Sequence, residues 1–180
     1  WVPLSLDGEP IGPIHRTNWD DVSRGCYMWV PRNHNPMVVT GDTLHQLMDV
    51  NSGVPRFRMV TDDARCGVDS DSFEPRGYRD GAALMWTGEE IVVVLSETGG
   101  SGLYLTRAAP GTINTAPRIL DGGAVRISQG TQNPRYHAAV WTGSRIAVAW
   151  TGGVAGTTDE ALFFRTYDHT GAPVSPLVRL

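Results

Sequence analysis

The segment Ala83-Leu84-Met85-Trp86-Thr87-Gly88 is followed by the run Ile91-Val92-Val93-Val94, and this order recurs without a gap 55 residues later. The second copy reads Ala138-Ala139-Val140-Trp141-Thr142-Gly143 and then Ile146-Ala147-Val148-Ala149. Gly supplies the backbone conformation of a tight turn, and an apolar, β-branched run is typical of a strand buried on both faces. Each copy therefore predicts two antiparallel strands joined by a Thr-Gly-x-x turn.

The two ends of the chain also resemble each other. Residues 8–16 read Gly-Glu-Pro-Ile-Gly-Pro-Ile-His-Arg, and residues 171–179 read Gly-Ala-Pro-Val-Ser-Pro-Leu-Val-Arg. The offset of 163 is close to three repeats of 55. Each copy follows a turn and carries two prolines. Because Pro cannot donate a hydrogen bond to a central ladder, the pattern predicts an edge strand.

A weaker copy of the repeat lies in the first third of the chain. Met28-Trp29 precedes Met85-Trp86 by 57 residues. It is followed by three strand-like segments, at 36–40, 44–50 and 55–60. The segment 43–50 is also the best helix candidate in the chain, but the repeat requires a strand there, so a strand is predicted.

The repeats together predict an all-β chain of three four-stranded antiparallel units after a leading strand. The single domain of residues 1–180 divides into a leading edge strand (1–17), unit one (22–60), an Asp-rich loop (61–80), unit two (81–120), a connector (121–135) and unit three (136–180). The strands of units two and three are predicted at 82–86, 90–96, 102–107, 113–120, 137–141, 145–151, 161–167 and 174–180.

Composition agrees with this class and excludes several partners. A charged fraction of 19%, with 21 Gly and 12 Pro, suits short strands and tight turns better than long helices. The net charge is -4 and the Arg residues are scattered, which argues against nucleic acid and against an anionic membrane surface. No apolar run reaches the roughly 18 residues that insertion into a bilayer requires.

Two cysteines bear on the compartment. Cys26 and Cys66 fit one disulfide and hence a secreted, periplasmic or cell-surface protein, although two free thiols in the cytosol remain the alternative. The chain starts at Trp1 rather than Met, which is compatible with a removed signal peptide.

The apolar pair, Trp-Thr-Gly turn, β-branched strand and Pro-bearing edge strand resemble the β-propeller repeats of secreted and surface proteins from GC-rich bacteria. That resemblance implies propeller-like blades around a central channel, used as binding scaffolds without fixed catalytic residues. Propellers usually close with 4–8 blades. Three units therefore imply part of a larger or oligomeric propeller, completed by further blades or other copies, or else an open stack or a sandwich.

The tryptophans divide into two groups. Trp29, Trp86 and Trp141 share one repeat position and are predicted to pack between neighbouring blades. Trp19 and Trp150 lie outside that position, and an exposed ring at either could stack on a sugar.

The loop between units one and two carries the candidate metal ligands Asp62, Asp63, Asp69 and Asp71. Carboxylate oxygens suit Ca²⁺, but the loop lacks the EF-hand pattern, so a solvated acidic loop is the alternative. No other cofactor is indicated.

Three functions follow from these patterns. The leading prediction is a non-enzymatic, extracytoplasmic module that binds a protein or a glycan through its blade loops, with no catalytic residue. The second is a hydrolase of the glycosidase or sialidase kind, using carboxylates such as Glu89, Glu90, Glu97 or Asp159. The third is a structural subunit or fragment of a larger assembly.

Overall fold

The computed structural model describes residues 37–41, 43–50, 54–60, 78–97, 102–111, 115, 117–120, 123–129, 131–154 and 156–180. Within these ranges every regular element is a β-strand and every pairing is antiparallel, which confirms the all-β prediction. The strands are β1 (Met37–Thr40), β2 (Thr43–Val50), β3 (Val54–Val60), β4 (Tyr78–Trp86), β5 (Ile91–Glu97), β6 (Leu103–Ala109), β7 (Arg118–Ile119), β8 (Val125–Arg126), β9 (Thr131–Trp141), β10 (Ile146–Val154), β11 (Glu160–Tyr167) and β12 (Val178–Arg179).

The strands form three sheets in chain order. The first sheet is β1-β2-β3, the second is β4-β5-β6-β7 with β8 also paired to β6, and the third is β12-β11-β10-β9. In the first and third sheets, strands that follow each other in the chain are hydrogen-bonded neighbours, as in a meander. The segment predicted as a strand at 43–50 is indeed β2. The predicted leading strand and Met28-Trp29 lie outside the described residues.

The repeat of the Trp-Thr-Gly turn is reproduced in the hydrogen bonds of the two hairpins. Trp86 pairs with Ile91 in one hairpin, and Trp141 pairs with Ile146 in the other. The Thr87 N–H donates to the Glu90 carbonyl at 3.1 Å, and the Thr142 N–H donates to the Arg145 carbonyl at 2.9 Å. In both turns the Thr hydroxyl also donates to that carbonyl.

The glycines of these turns explain why the motif is needed. Gly88 has a φ of 104° and Gly143 a φ of 92°, at the first central position of each two-residue loop. A positive φ at this position matches the right-handed twist of the flanking strands, and it is strained for any residue with a Cβ.

In units two and three the fourth strand differs from the prediction. Within the expected strand at 113–120 the described residues form the short strand β7, and a second short strand, β8, pairs with the other half of β6. The expected strand at 174–180 is reduced to β12, preceded by an isolated bridge between Tyr167 and Pro173. Pro at 173 and 176 removes two ladder donors, which limits pairing at this edge.

The predicted connector at 121–135 contains strand residues. It contains β8, and β9 begins within it at Thr131. The sequence Val-Arg of β8 recurs as β12. In the third strand of their sheets, β8 pairs with Tyr104 and Leu105, and β12 pairs with Phe163 and Phe164. The second sheet therefore has a fourth strand split in two rather than a fifth strand.

The second sheet is buried on both faces because it lies between the other two. One face contributes Ile91, Val93 and Leu95 to a cluster against which Val38 of the first sheet packs. The opposite face joins a cluster with the third sheet, formed by Met85, Val92, Val94, Leu103, Leu105, Ile127, Ile146, Val148, Trp150, Phe163 and Tyr167. The three sheets thus stack in chain order, and the described residues do not close them into a ring.

Candidate binding surface on strand β9

Trp150 is a core residue. Its side chain is fully buried, and its ring stacks on Phe163 with centroids 5.9 Å apart. The exposed ring that sugar stacking requires is therefore not found at this position, and that prediction for Trp150 is corrected. The repeat-position residues Trp86 and Trp141 are only partly buried, each packed against the edge of a core cluster.

The first half of β9 departs from regular strand geometry. Its register with β10 shifts between Trp150 and Thr151 and again between Thr151 and Gly153, so β9 carries extra residues. Asn133 has a φ of 44° and Tyr136 a φ of 37°. These are the only non-Gly residues with a positive φ among the described residues. For a bulky aromatic residue this conformation costs on the order of 1–3 kcal/mol, and such strain concentrates at functional sites.

A buried polar network holds the start of this bulged segment. The Trp150 Nε1–H donates to Thr131 Oγ1 at 3.2 Å, and the Thr131 hydroxyl donates to the Ser128 carbonyl at 3.1 Å. The Ser128 hydroxyl in turn accepts a hydrogen bond from the Leu103 N–H at 2.9 Å. Because these groups are buried and paired with one another, they fix the backbone where β9 begins.

Two further bonds fix the rest of the segment. The Thr151 hydroxyl donates to the Arg135 carbonyl at 3.1 Å, across the bulge. His137 Nε2 lies 3.0 Å from the Val94 carbonyl of the second sheet. A carbonyl only accepts, so Nε2 carries the proton in this contact. The bulge is therefore anchored to both the third and the second sheet.

The side chains presented by this anchored bulge are exposed and suited to binding. Tyr136 is 72% exposed, and Asn133 and Arg135 are also exposed, whereas Pro134 between them is buried. The segment presents an aromatic ring, a guanidinium and an amide within four residues. We call Asn133, Arg135 and Tyr136 the β9 surface. A ring can stack on an apolar sugar face, while the guanidinium and amide hydrogen-bond to hydroxyl or carbonyl groups.

The β9 surface was not identified from the sequence, although Pro134 offered a signal. A Pro inside a strand pattern marks an edge or a bulge. Pro134 lies in the segment predicted as a connector (121–135), just before the strand predicted at 137–141, so no bulged strand was predicted there.

Most other candidate residues are placed elsewhere or not described. Trp19, the four Asp residues proposed for calcium (Asp62, Asp63, Asp69, Asp71), and the cysteines Cys26 and Cys66 lie outside the described residues. Across the described ranges, no group of three or more His, Cys, Asp or Glu side chains could hold a metal ion.

The carboxylates considered for hydrolysis make separate contacts. Glu90 forms an ion pair with Arg107 at 3.1 Å, and Glu97 accepts a hydrogen bond from the Tyr104 hydroxyl at 3.3 Å. Glu89 and Asp159 are exposed beside turns.

Burial shifts the pKa of two residues at the contacts between sheets. It lowers the pKa of His45 from 6.5 to about 4, because the imidazolium would lose its hydration. It raises the pKa of Tyr167 to about 12, with the nearby Arg165 charge opposing the change. The Tyr167 hydroxyl donates to the Ile127 carbonyl at 2.7 Å. Both groups are neutral near pH 7 and serve the core.

Comparison with known proteins leaves the chain without an assigned relative. No protein-family model matches it, and no curated protein is significantly similar to it. Across the described residues no helix is long and apolar enough to span a membrane.

Proposed function

We propose that this chain is a non-enzymatic, extracytoplasmic binding module of the β-propeller type that recognises a glycan through the β9 surface. The observation that carries the proposal is the exposed Tyr136 ring, whose residue has a positive φ and lies between Arg135 and His137, the two residues whose hydrogen bonds anchor the segment. Packing does not explain a strained aromatic residue that is 72% exposed, and this supports a role in ligand binding. The four-stranded meander of the third sheet supports the propeller architecture.

Saccharides are the ligand class that this set of side chains suits best. The Tyr136 ring offers an apolar face, and Arg135 and Asn133 flank it with several hydrogen-bond donors. The β9 surface belongs to a strand paired on one side by β10 and anchored to Val94, so little backbone ordering is needed on binding.

A glycan array with the purified chain, followed by calorimetric titration of the best oligosaccharide, tests the proposal. Tyr136→Phe keeps the ring and should bind within a few-fold of the wild type. Tyr136→Asn removes the ring but tolerates a positive φ, so it should weaken binding at least ten-fold while stabilising the fold by about 1 kcal/mol.

In Tyr136→Asn binding should weaken while the fold becomes more stable. A residue with a purely structural role would not show this combination. Ser144→Ala, in the exposed β9–β10 turn, is the matched control and should leave both quantities unchanged. An array without hits, or unchanged affinity in Tyr136→Asn, would contradict the glycan proposal. Glycan turnover by the wild type would contradict the non-enzymatic part of it.

The extracytoplasmic assignment rests on Cys26 and Cys66, which we propose form a disulfide. Alkylation of freshly isolated protein before and after reduction, followed by mass spectrometry, distinguishes the bonded form from two free thiols. Immediate alkylation of both cysteines would remove the support for an oxidising compartment.

A further inference from the structure

The third sheet is largely apolar on both faces, and among the described residues only one of them is covered. Along β10, fully buried residues alternate with half-buried ones, and the buried set points to the second sheet. The other face carries Val140, Ala147, Ala149, Leu162, Phe164 and Val178, which the strand registers place side by side. We call these six residues the outer face. Val140 is 57% exposed, Leu162 42% and Val178 40%.

The internal repeat shows which residues of the second sheet are equivalent to the outer face. The offset of 55 relates Val140, Ala147 and Ala149 to Met85, Val92 and Val94 of the second sheet. Along the next strand the pairing Ser96↔Leu103 matches Thr151↔Leu162, so Leu162 and Phe164 correspond to Leu103 and Leu105.

These five corresponding residues of the second sheet are the ones on which the third sheet packs. Met85, Val92, Val94, Leu103 and Leu105 are all buried in the cluster shared with that sheet. The outer face therefore repeats, one sheet further along, a surface that is already seen bound to another sheet of this chain. The registers also place Thr151 and Thr166 on this face, so it is mainly rather than wholly apolar, and a mainly apolar exposed patch is typical of an interaction surface.

An exposed apolar residue also lies at the opposite end of the stack. In the first sheet Val38 packs towards the second sheet, while the next residue, Val39, points the other way and is 59% exposed. Among the described residues the stack thus has an exposed face at each of its two ends. These two faces correspond to the two different faces that meet where the second sheet packs on the third.

We propose that the outer face binds the first sheet of a second copy of this chain, continuing the stack head to tail. The contact is heterologous, because it joins two different faces, and it repeats the direction in which the first, second and third sheets already stack. The proposal does not depend on the ligand of the β9 surface.

Sedimentation velocity and light scattering over a wide concentration range test the proposal. The wild-type chain should change from 19.6 kDa monomers to multiples of that mass as concentration rises. Val140→Glu and Val39→Glu should each reduce the association constant at least a hundred-fold, because either change places a carboxylate in the contact. Ser144→Glu adds the same charge in the adjacent turn, where the other hairpin has Glu89, and should associate like the wild type.

Mixing the two variants distinguishes the orientation of the contact. Val39→Glu retains an intact outer face, and Val140→Glu retains an intact first sheet, so an equimolar mixture should form heterodimers that neither variant forms alone. If Val39→Glu associates as strongly as the wild type, the first sheet is not in the contact. The two outer faces would then bind each other, and the head-to-tail arrangement would be overturned. A wild-type chain that stays monomeric at millimolar concentration overturns the proposal altogether. Circular dichroism of each variant confirms that it is folded.

Discussion

Trp150 and Trp141 show how the same residue type is used in two ways within one sheet. Trp141 lies at the repeated position and is partly buried, while Trp150 is fully buried between the second and third sheets. At the position equivalent to Trp150 the second sheet has Leu95, so the large ring is specific to one unit. Its indole N–H needs a partner once buried, and Thr131 provides it at 3.2 Å.

Repeat position was therefore a poor guide to burial at the level of single residues. The repeat identified the residues that begin the turn, Trp86 and Trp141, because those are constrained by the hairpin. It could not identify Trp150 or Tyr136, because their surroundings come from contacts between sheets and from a bulge that occurs in one unit. Pro134 was the single local signal for that bulge.

His45 makes the stability of the fold depend on pH. It is fully buried beside Val38, its Nε2 lies 2.7 Å from the Thr40 hydroxyl, and its pKa is lowered to about 4. In the unfolded chain the pKa returns to 6.5. Between about pH 6.5 and pH 4 the unfolded state therefore binds a proton that the folded state does not, and the free energy of unfolding falls by at most about 3 kcal/mol.

Urea denaturation at intervals between pH 7 and pH 4 measures this loss. His45→Gln keeps a hydrogen-bonding side chain but cannot titrate, so its stability should change less across the same window. Parallel curves for the two proteins would show that His45 does not carry the effect. His169→Gln, an exposed histidine in a turn, is the control and should follow the wild type.

At the level of elements, the hairpins were predictable and the fourth strands were not. Thr-Gly-x-x closes each hairpin through bonds among its own four residues, so sequence alone defines it. The length of each fourth strand depends on how far β7 and β8 stay paired with β6, and β12 with β11. Pro173 and Pro176 limit that pairing beside β12, and their effect on strand length is not set locally.

The two turns should respond alike to loss of glycine. A Cβ on Gly88 or Gly143 would meet no atom within 4 Å, so the cost of Ala there is backbone strain alone. Gly88→Ala and Gly143→Ala should each lower the free energy of unfolding by about 1–2 kcal/mol, and the double variant by their sum. Equilibrium denaturation measures all three. A large difference between the single variants would contradict the structural equivalence of the turns, and Ser144→Ala is the control.

The whole molecule is a stack in which each sheet depends on its neighbour. Among the described residues the inner face of the third sheet packs on the second sheet, and Tyr167 and His137 also bond to groups outside the third sheet's strands. In repeat architectures of this kind, stability comes from the contacts between units as much as from the units themselves. The units could be recognised because the same motif recurs along the sequence. Which faces of the sheets pack together could not be predicted, because those contacts join residues far apart in the chain.

A single unit should therefore not fold alone. A fragment of residues 131–180 retains every strand of the third sheet, but it would expose Ile146, Val148 and Trp150 to water and lose the bonds to Val94, Ser128 and Ile127. We expect poor amide dispersion in its NMR spectrum and rapid hydrogen exchange throughout. A fragment of residues 78–180 restores the second sheet and should show slow exchange in β10 and dispersed amide signals. A well-dispersed spectrum from residues 131–180 would contradict this dependence, because it would show that the four-stranded sheet buries enough apolar surface by itself.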